Sequence, residues 1–287
     1  MLTMNKTPIM CRMVSSGGNR YYVPINTNYV QEEYKLDDLY PWKKLSTTSF
    51  LNILNKPGLT AWKQNKGWLA GPEGKTAALK GTITHIGVDR MHHGAPVNKE
   101  WIMMKINKSR FTLWQLFYDS AESLCYDIQK HLAGYVAFCE EKQPEILASE
   151  IMLWHPNYLW AGTGDLFASF KTRKNNKNRV NCYIDLKTGK PSPEHAIQGV
   201  AYAMLWNAHF PEQQITHIGN VYTNDGWLKD PTYKLTVKPI TDELRDEWMA
   251  IVNLYEKQKG KNWQPRKQPE VPEDFSISYL KQQKRSA

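Results

Sequence analysis

Trp160-Ala161-Gly162-Thr163-Gly164-Asp165 and, twenty residues further on, Ile184-Asp185-Leu186-Lys187-Thr188 are the stretches on which the interpretation of this chain depends. Both lie in runs rich in Ile, Leu, Tyr and Phe, which predict strands over 158–170 and 180–188. A hairpin formed by these two strands would bring Asp165 beside Asp185. The two strands therefore predict an acidic site to which the first contributes Asp165 and the second contributes Asp185.

The second stretch also carries a polar pair on an otherwise apolar strand. Alternate residues of a strand share a face, so Asp185 and Lys187 are neighbours. Burying such a pair costs free energy unless another group satisfies it. Two carboxylates with a lysine suit metal-assisted phosphodiester hydrolysis, in which oxygen ligands bind Mg²⁺ or Mn²⁺ and the lysine orients the attacking water. The alternative is a structural ion pair at a sheet edge.

Four short motifs follow one another along the chain. They are Gly81-Thr82-Ile83-Thr84-His85, Ala161-Gly162-Thr163-Gly164-Asp165, Asp185-Leu186-Lys187-Thr188 and Gln198-Gly199-Val200-Ala201-Tyr202. In this order they resemble the PD-(D/E)XK nuclease superfamily, and specifically the RecB-like exonucleases of phages. The resemblance covers roughly residues 46–210, and it departs from the superfamily's name at Gly164, where the name has Pro.

The resemblance implies both a fold and a metal site. The fold is an α/β, restriction-endonuclease-like core, a small mixed sheet flanked by helices and entered through a helical N-terminal section. The implied ligands of Mg²⁺ or Mn²⁺ are His85, Asp165, Asp185 and the Leu186 carbonyl, and Lys187 would position the attacking water. An imidazole among the ligands distinguishes this branch from sites built of carboxylates alone.

Three further residues are assigned through the same resemblance. Glu150, on a strand predicted over 145–154, is implied to reach the metal through water or to hold Lys187; the alternative is an exposed strand acid. Gln198 and Tyr202 are four residues apart on a predicted helix and therefore share a face. They are implied to contact the DNA strand or Lys187, and the alternative is a solvated polar face.

A basic turn separates the two acidic strands. Residues 171–179 contain five positive charges and no acid. These are Lys171, Arg173, Lys174, Lys177 and Arg179. Such a turn suits contacts to phosphates that do not depend on base sequence. Its position between the acidic strands favours DNA contact beside the site over an ordinary solvated turn.

Aromatic residues are frequent, with 11 Trp and 15 Tyr. Most of the tryptophans are expected in the core. Aromatic rings that remain exposed can stack on unpaired bases, which is how sequence-independent single-strand binders gain affinity. The candidates for stacking are Trp42, Trp62, Trp68, Tyr158 and Trp160.

Composition limits the classes of partner. The 287 residues contain 37 Lys and Arg against 28 Asp and Glu, a formal net charge of +9, which favours a polyanion. The four cysteines form no C-x-x-C pair, which argues against a zinc ribbon or an iron–sulfur cluster. No run approaches the roughly 18 apolar residues of a membrane span, and residues 1–19 lack the apolar segment of a signal peptide. We therefore expect a cytoplasmic protein, in the host cytoplasm if viral, without a membrane partner.

The order of predicted elements indicates one α/β domain with a mixed sheet. Helices are predicted over 46–54, 76–92, 111–138, 197–208 and 242–256, and strands over 145–154, 158–170, 180–188, 216–222 and 233–237. We predict an irregular segment over 1–45 with a short strand near 20–25, a nuclease domain over 46–256, and a basic flexible tail over 257–287. The tail holds eight Lys and Arg.

The resemblance implies a metal-dependent DNA exonuclease acting on single- or double-stranded ends, in viral or recombination-type DNA processing. Its products would carry 5′-phosphates. Relatives also imply a single-strand annealing protein and a homo-oligomer as partners. Two alternatives stay open: a structure-directed DNA endonuclease, and a non-catalytic DNA-binding protein on the same fold.

Overall fold

The computed structural model describes residues 11–16, 19–24, 44–54, 56–109, 111–116, 118–172, 178–223 and 232–259. Its strands are Cys11–Ser16 (β1), Asn19–Pro24 (β2), Lys44–Ser46 (β3), Glu145–Trp154 (β4), Trp160–Phe170 (β5), Val180–Lys187 (β6), His217–Tyr222 (β7) and Lys234–Pro239 (β8). Its α-helices are Thr47–Phe50 (α1), Pro57–Lys66 (α2), Ala70–His92 (α3), Lys99–Asn107 (α4), Leu113–Leu116 (α5), Ala121–Lys142 (α6), Glu194–His209 (α7) and Asp242–Lys259 (α8). Short 3-10 turns cover Leu51–Ile53, Gly67–Leu69 and Pro211–Gln213.

All the described strands join one mixed sheet. Its main path runs β1-β2-β3-β5-β6-β7-β8, and β4 pairs with β5 off this path. The β3–β5 and β6–β7 pairs are parallel, and the other pairs are antiparallel. The mixed α/β fold is therefore confirmed, with a sheet larger than the small one that was expected.

Helices cover both faces of this sheet. Phe167 and Tyr183 point into one core, which α7 and α8 close. The next residues along the same strands, Ala168 and Ile184, point into the other core, which α4 and α6 close. Alternation along β5 and β6 thus buries both faces, as a central strand requires.

The predicted helix over 46–54 is confirmed as α1 followed by a 3-10 turn, with Ser46 at the N-cap position. Ser46 is also the last residue of β3 and pairs with Ala161. The hydroxyl run that predicts the helix cap also contacts the sheet, because Thr47 Oγ1 donates a hydrogen bond of 3.0 Å to the Ala161 carbonyl. This contact anchors α1 on β5, next to the acidic motif.

The long helix predicted over 111–138 is two helices, α5 and α6. Ser120 starts α6, since its side chain accepts a hydrogen bond from the Ser123 amide. The sequence pattern missed α4 as well, which begins in the same way with the Asn98 side chain accepting from the Trp101 amide at 2.9 Å. Apolar spacing continues across these caps, so periodicity alone does not show where the helices end.

The first 45 residues are not wholly irregular. They contain the antiparallel hairpin of β1 and β2, and β2 joins the rest of the sheet through β3. The short strand expected near 20–25 corresponds to β2. Most of the predicted tail, residues 260–287, lies outside the described residues. None of the described helices combines the length and apolar character that a membrane span requires.

Candidate active site

The site lies at an opening in the sheet, along one edge of β5. Residues 160–161 pair with β3 and residues 166–170 pair with β6. Both partners lie on the edge opposite β4, because positions 161 and 166–169 pair with β4 as well. Among the described residues, the backbone of 162–165 therefore has no strand partner on this edge. The side chains of Thr163 and Asp165 are partly exposed, whereas Gly162 and Gly164 are buried.

Asp165 reaches across this opening. Its Oδ2 accepts a hydrogen bond of 3.0 Å from the Leu186 amide, so a carboxylate occupies the place of a backbone acceptor. The β5–β6 ladder ends at Leu166 and Ile184, the residues directly next to Asp165 and Asp185. The predicted hairpin between the two acidic strands is thus confirmed.

His85 and Glu150 form a cluster with Asp165. The His85 Nδ1 lies 3.4 Å from Asp165 Oδ2 and 3.4 Å from Glu150 Oε1. One donor atom from each of the three residues lies within 4.8 Å of the other two. The side chains of His85 and Glu150 are 27% and 31% exposed, so a solute can reach the cluster. One imidazole and two carboxylates arranged in this way can hold a divalent cation.

Glu150 enters this cluster through an unusual backbone conformation. Its φ is +44°, in the left-handed region that a residue with a side chain rarely adopts. Its neighbours Ser149 and Ile151 pair with Leu166 and Gly164, so the register of β4 places Glu150 opposite Asp165. Strain of this kind persists only where the surrounding structure imposes it, and it is common at functional sites.

Asp185 and Lys187 form a second group beside the cluster. Asp185 has a side chain only 3% exposed, and its Oδ2 lies 2.6 Å from Lys187 Nζ. The two groups are in direct contact and form an ion pair once Asp185 is deprotonated, although Oδ2 has no well-directed hydrogen bond. On its other side, Lys187 Nζ donates to Gln198 Oε1 at 3.1 Å. Asp185 lies outside the cluster of three residues, so its role as a metal ligand stays a prediction.

Burial and neighbouring charges shift the pKa values of Asp185, Asp165 and His85. The pKa of Asp185 is raised to about 7. Burial and the charge of Asp165 raise it, and Lys187 lowers it less than they raise it. Burial would also raise the pKa of Asp165, but His85 outweighs it and holds that pKa well below its usual range. Burial lowers the pKa of His85, but Asp165 and Glu150 together raise it well above its usual value. At neutral pH, without a cation, His85 and Asp165 form an ion pair.

Tyr202 does not face DNA, contrary to the expectation from the sequence. It is 5% exposed, and its ring stacks on Tyr183 with 5.0 Å between centroids. A Cβ at position 162 would lie 2.5 Å from Tyr202 Cε1, so only Gly162 allows the ring to pack this closely. Tyr202 therefore supports the motif on β5 from within the core, and Gln198 alone of the pair reaches Lys187.

The two described basic residues of the turn, Lys171 and Arg179, do not border the site. Asp165 and Lys171 are six residues apart on an extended strand, a separation of about 20 Å. Lys171 is exposed, whereas Arg179 donates to the carbonyls of Gln143, at 3.2 Å, and Ser169. Arg173, Lys174 and Lys177 lie outside the described residues. For Lys171 and Arg179, the expectation that the basic residues lie beside the acids is wrong, because the acids are at the other end of the hairpin.

The aromatic residues that are predicted to stack on unpaired bases differ in their exposure. Trp68 is 74% exposed and Tyr158 is 37% exposed, whereas Trp160 is fully buried against Tyr158. Trp62 is half-buried, and Trp42 lies outside the described residues. The sequence did not single out Trp114, which is 82% exposed on α5. Exposure of a tryptophan on a short helix has no sequence signature of its own.

The sequence also did not single out Asn220, the strand partner of Asp185. Asn220 is 8% exposed, and its Oδ1 is buried without a hydrogen-bond partner. The signal that could have identified it is one amide within the otherwise apolar strand β7. Such a group destabilises a core unless something pairs with it.

No protein-family model matches the chain, and no curated protein matches it. Solved structures of one exonuclease are similar. The alkaline exonuclease LHK-Exo from Laribacter hongkongensis is 14% identical, with 85% of this chain and 94% of that chain covered and a TM-score of 0.36. LHK-Exo in complex with dAMP is 15% identical, with 65% and 83% covered and a TM-score of 0.35. TM-scores this low do not assign a function to the chain, so the evidence for its function is the site itself.

The donor set fits a cation of the Mg²⁺ or Mn²⁺ type. Carboxylate oxygens suit both ions, and an imidazole is accepted more readily by Mn²⁺ than by Mg²⁺. The Oδ2 of Asp185 adds a buried oxygen that has a charge partner but no hydrogen bond. Four side chains, His85, Glu150, Asp165 and Asp185, are thus available around one opening. The role of the Leu186 carbonyl stays a prediction.

Proposed function

We propose that this chain is a Mg²⁺- or Mn²⁺-dependent deoxyribonuclease, an exonuclease that leaves 5′-phosphorylated products. The observation that carries the proposal is the cluster of His85, Glu150 and Asp165 beside the Asp185–Lys187 pair at one opening in the sheet. Action from a strand end, and a setting in viral or recombination-type DNA processing, come from the resemblance of the four ordered motifs.

The proposed mechanism assigns a task to each side chain. A divalent cation held by His85, Glu150 and Asp165 would polarise the phosphate and make a water molecule more acidic. Lys187 has its ammonium group fixed between Asp185 and Gln198, where it can orient that water. The same positive charge offsets the negative charge that develops on the phosphate. Asp185 keeps the lysine in place and limits its rotation.

The helical segment that precedes the central strands carries an excess of positive charge. Residues 56–109, which include His85 on α3, contain nine Lys and Arg and three Asp and Glu. This segment accounts for most of the chain's net charge of +9. A basic surface next to a carboxylate site attracts a DNA strand that the carboxylates alone would repel. Exposed Trp68 lies in the same segment and can stack on an unpaired base.

A time course on end-labelled DNA tests the proposal. Linear single- and double-stranded substrates, labelled at each end in turn, and a covalently closed single-stranded circle are incubated with Mg²⁺, Mn²⁺ or EDTA. An exonuclease releases labelled nucleotides from the linear substrates with either cation and leaves the circle intact. Cleavage of the circle would identify an endonuclease. No cation-dependent release from any substrate would identify a non-catalytic DNA-binding protein.

The chemistry of the products and the oligomeric state of the protein are tested separately. Mass spectrometry of the released nucleotides distinguishes 5′-phosphates from 3′-phosphates. The homo-oligomer and the single-strand annealing partner are expectations from the resemblance, and the molar mass of the protein in solution, with and without DNA, tests the first of them.

A further inference from the structure

A cleft of about 370 Å³ lies beside the Asp185–Lys187 pair, between the start of α7 and strands β7 and β8. The residues that matter for its chemistry are Pro193, His195, Ile218, Asn220, Tyr222 and Lys238. Its volume lies within the range of pockets that bind small molecules. The mechanism proposed above leaves this cleft without a role.

Strand register places the cleft directly next to the proposed catalytic pair. In the parallel β6–β7 ladder, Asn220 is the partner of Asp185 and Tyr222 is the partner of Lys187. Neighbouring strands are about 4.8 Å apart, and paired residues point to the same face. His195 also lies one turn before Gln198 on α7, and Gln198 holds Lys187. A group in the cleft is therefore within one nucleotide of the lysine.

The lining offers neutral hydrogen-bonding groups and a single cation. Asn220 is 8% exposed, and its Oδ1 lacks a hydrogen-bond partner, which costs free energy unless a ligand or water satisfies it. The His195 Nδ1 lies 3.0 Å from Tyr222 Oη, and burial, with a contribution from Lys187, lowers the pKa of His195 to about 4. The imidazole is thus neutral at pH 7. Lys238 is exposed on the edge strand at the rim.

This combination matches a nucleotide better than an inorganic anion. The Asn220 amide lines the cleft; an inorganic anion could only accept from it, whereas the edge of a base carries both donors and acceptors for an amide. The apolar walls at Pro193 and Ile218 suit the flat face of a base. Lys238 supplies the one positive charge that a single phosphate requires.

We propose that the cleft binds the base and sugar of one nucleotide of the DNA strand, adjacent to the phosphodiester bond that is cut. The edge of the base hydrogen-bonds to the Asn220 amide, and Lys238 contacts that nucleotide's phosphate. This inference rests on the proposed function and adds a substrate subsite to it.

The test uses the full chain and single-stranded oligonucleotides in which one abasic residue is moved stepwise from the labelled end. In the wild-type protein, cleavage is expected to slow about tenfold when the abasic residue occupies the cleft, and to change little at other positions. Asn220→Ala is expected to slow cleavage of the unmodified strand by a similar factor and to remove the extra effect of the abasic residue, because both changes delete the same contact.

Two matched controls guard against indirect effects. Asn253→Ala replaces an exposed asparagine on α8, and Lys234→Ala replaces a lysine on the same face of β8 outside the cleft lining. In both variants, the cleavage rate is expected to depend on the position of the abasic residue as it does in the wild-type protein. Lys238→Ala, in contrast, is expected to weaken binding of the strand. Because Lys238 is exposed, its variant folds even where Asn220→Ala does not, which thermal unfolding followed by circular dichroism shows.

The outcomes separate this inference from the function on which it rests. If wild-type protein hydrolyses DNA but slows at no particular abasic position, or if Lys238→Ala behaves as Lys234→Ala does, the nucleotide subsite is wrong and the nuclease proposal stands. If wild-type protein hydrolyses no DNA with either cation, the proposed function fails and the subsite fails with it.

Discussion

The Nζ of Lys187 lies 2.6 Å from the Oδ2 of Asp185, two residues earlier on the same strand. Gln198 holds the same ammonium group from α7 at 3.1 Å. A lysine restrained on two sides loses little rotational freedom when substrate binds, which favours a defined position for the attacking water. Under the proposed function, the chemical step would depend on Lys187 and cation binding would depend on the neighbouring cluster.

Lys187→Ala is expected to reduce hydrolysis by about 10²- to 10⁴-fold, because the group that orients the water and offsets phosphate charge is lost. The affinity for DNA is expected to change by less than about threefold, since most of the affinity comes from other phosphate contacts. Single-turnover cleavage and fluorescence anisotropy measure the two effects. Lys171→Ala, an exposed lysine about 20 Å from Asp165, is the control. A Lys187→Ala protein with wild-type rates would refute the site assignment.

His85→Ala is expected to weaken Mn²⁺ binding by more than about tenfold, and to weaken Mg²⁺ binding less. The reason is that imidazole contributes more to the coordination of Mn²⁺ than of Mg²⁺. Isothermal titration calorimetry on the protein without DNA measures both affinities. His93→Ala removes an exposed histidine just after the same helix and is expected to leave both unchanged. Equal losses of the two cations would mean that His85 acts only through its ion pairs.

The protein without cation is expected to lose stability as pH rises from about 4 to 7, through Asp185. Its carboxyl group keeps a proton up to about pH 7 in the folded protein but loses it near 3.8 when unfolded. Between these values the folded state binds more protons, so the free energy of unfolding falls as pH rises. The stabilising contribution is complete below the unfolded pKa and is lost through the folded one.

Buried histidines have the opposite effect on stability: burial and Lys80 lower the pKa of His131 to about 4, so this group makes the free energy of unfolding rise with pH. Comparison with Asp185→Asn isolates the contribution of Asp185, because the histidines are the same in both proteins. Between pH 4 and pH 8, in EDTA, the wild-type protein is expected to lose roughly 2–4 kcal/mol relative to the variant. Urea unfolding at each pH measures the difference. Parallel curves for the two proteins would show that Asp185 does not keep its proton.

Glu150→Asn is expected to raise the free energy of unfolding by about 1 kcal/mol and to weaken cation binding. Asparagine adopts the left-handed conformation, φ +44°, at lower cost than glutamate, but it lacks the carboxylate. Glu150→Gln keeps the backbone strain and removes only the charge, so the difference between the two variants measures the strain. Equal stabilities would show that the backbone at position 150 is not strained.

Gln143→Gly is expected to stabilise the fold by about 1 kcal/mol without changing hydrolysis. Gln143 ends α6 with φ +45°, the position at which helices favour glycine. Its side chain is not needed for the contact to Arg179, which uses the backbone carbonyl. A loss of stability would mean that the Gln143 side chain makes a contact worth more than the strain.

The central strands, α7 and the acidic motifs could be predicted because each has a local signature. Alternation of apolar residues marks β4, β5 and β6, and an acid that interrupts such a run must find a partner. The convergence of Asp165 and Asp185 followed from hairpin pairing alone. Helix ends were less predictable, since the caps at Ser120 and Asn98 interrupt an apolar spacing that continues past them.

The sequence by itself thus determined that β4, β5 and β6 are strands and which carboxylates and lysine they carry, because these features depend on neighbours along the chain. Only the tertiary structure decided that Glu150 joins His85 and Asp165, that Tyr202 is buried and that Asn220 lies beside Asp185. These relationships depend on the register between strands and on the packing of α3 and α7. Register and packing arise from contacts between residues far apart in sequence, which no local pattern records.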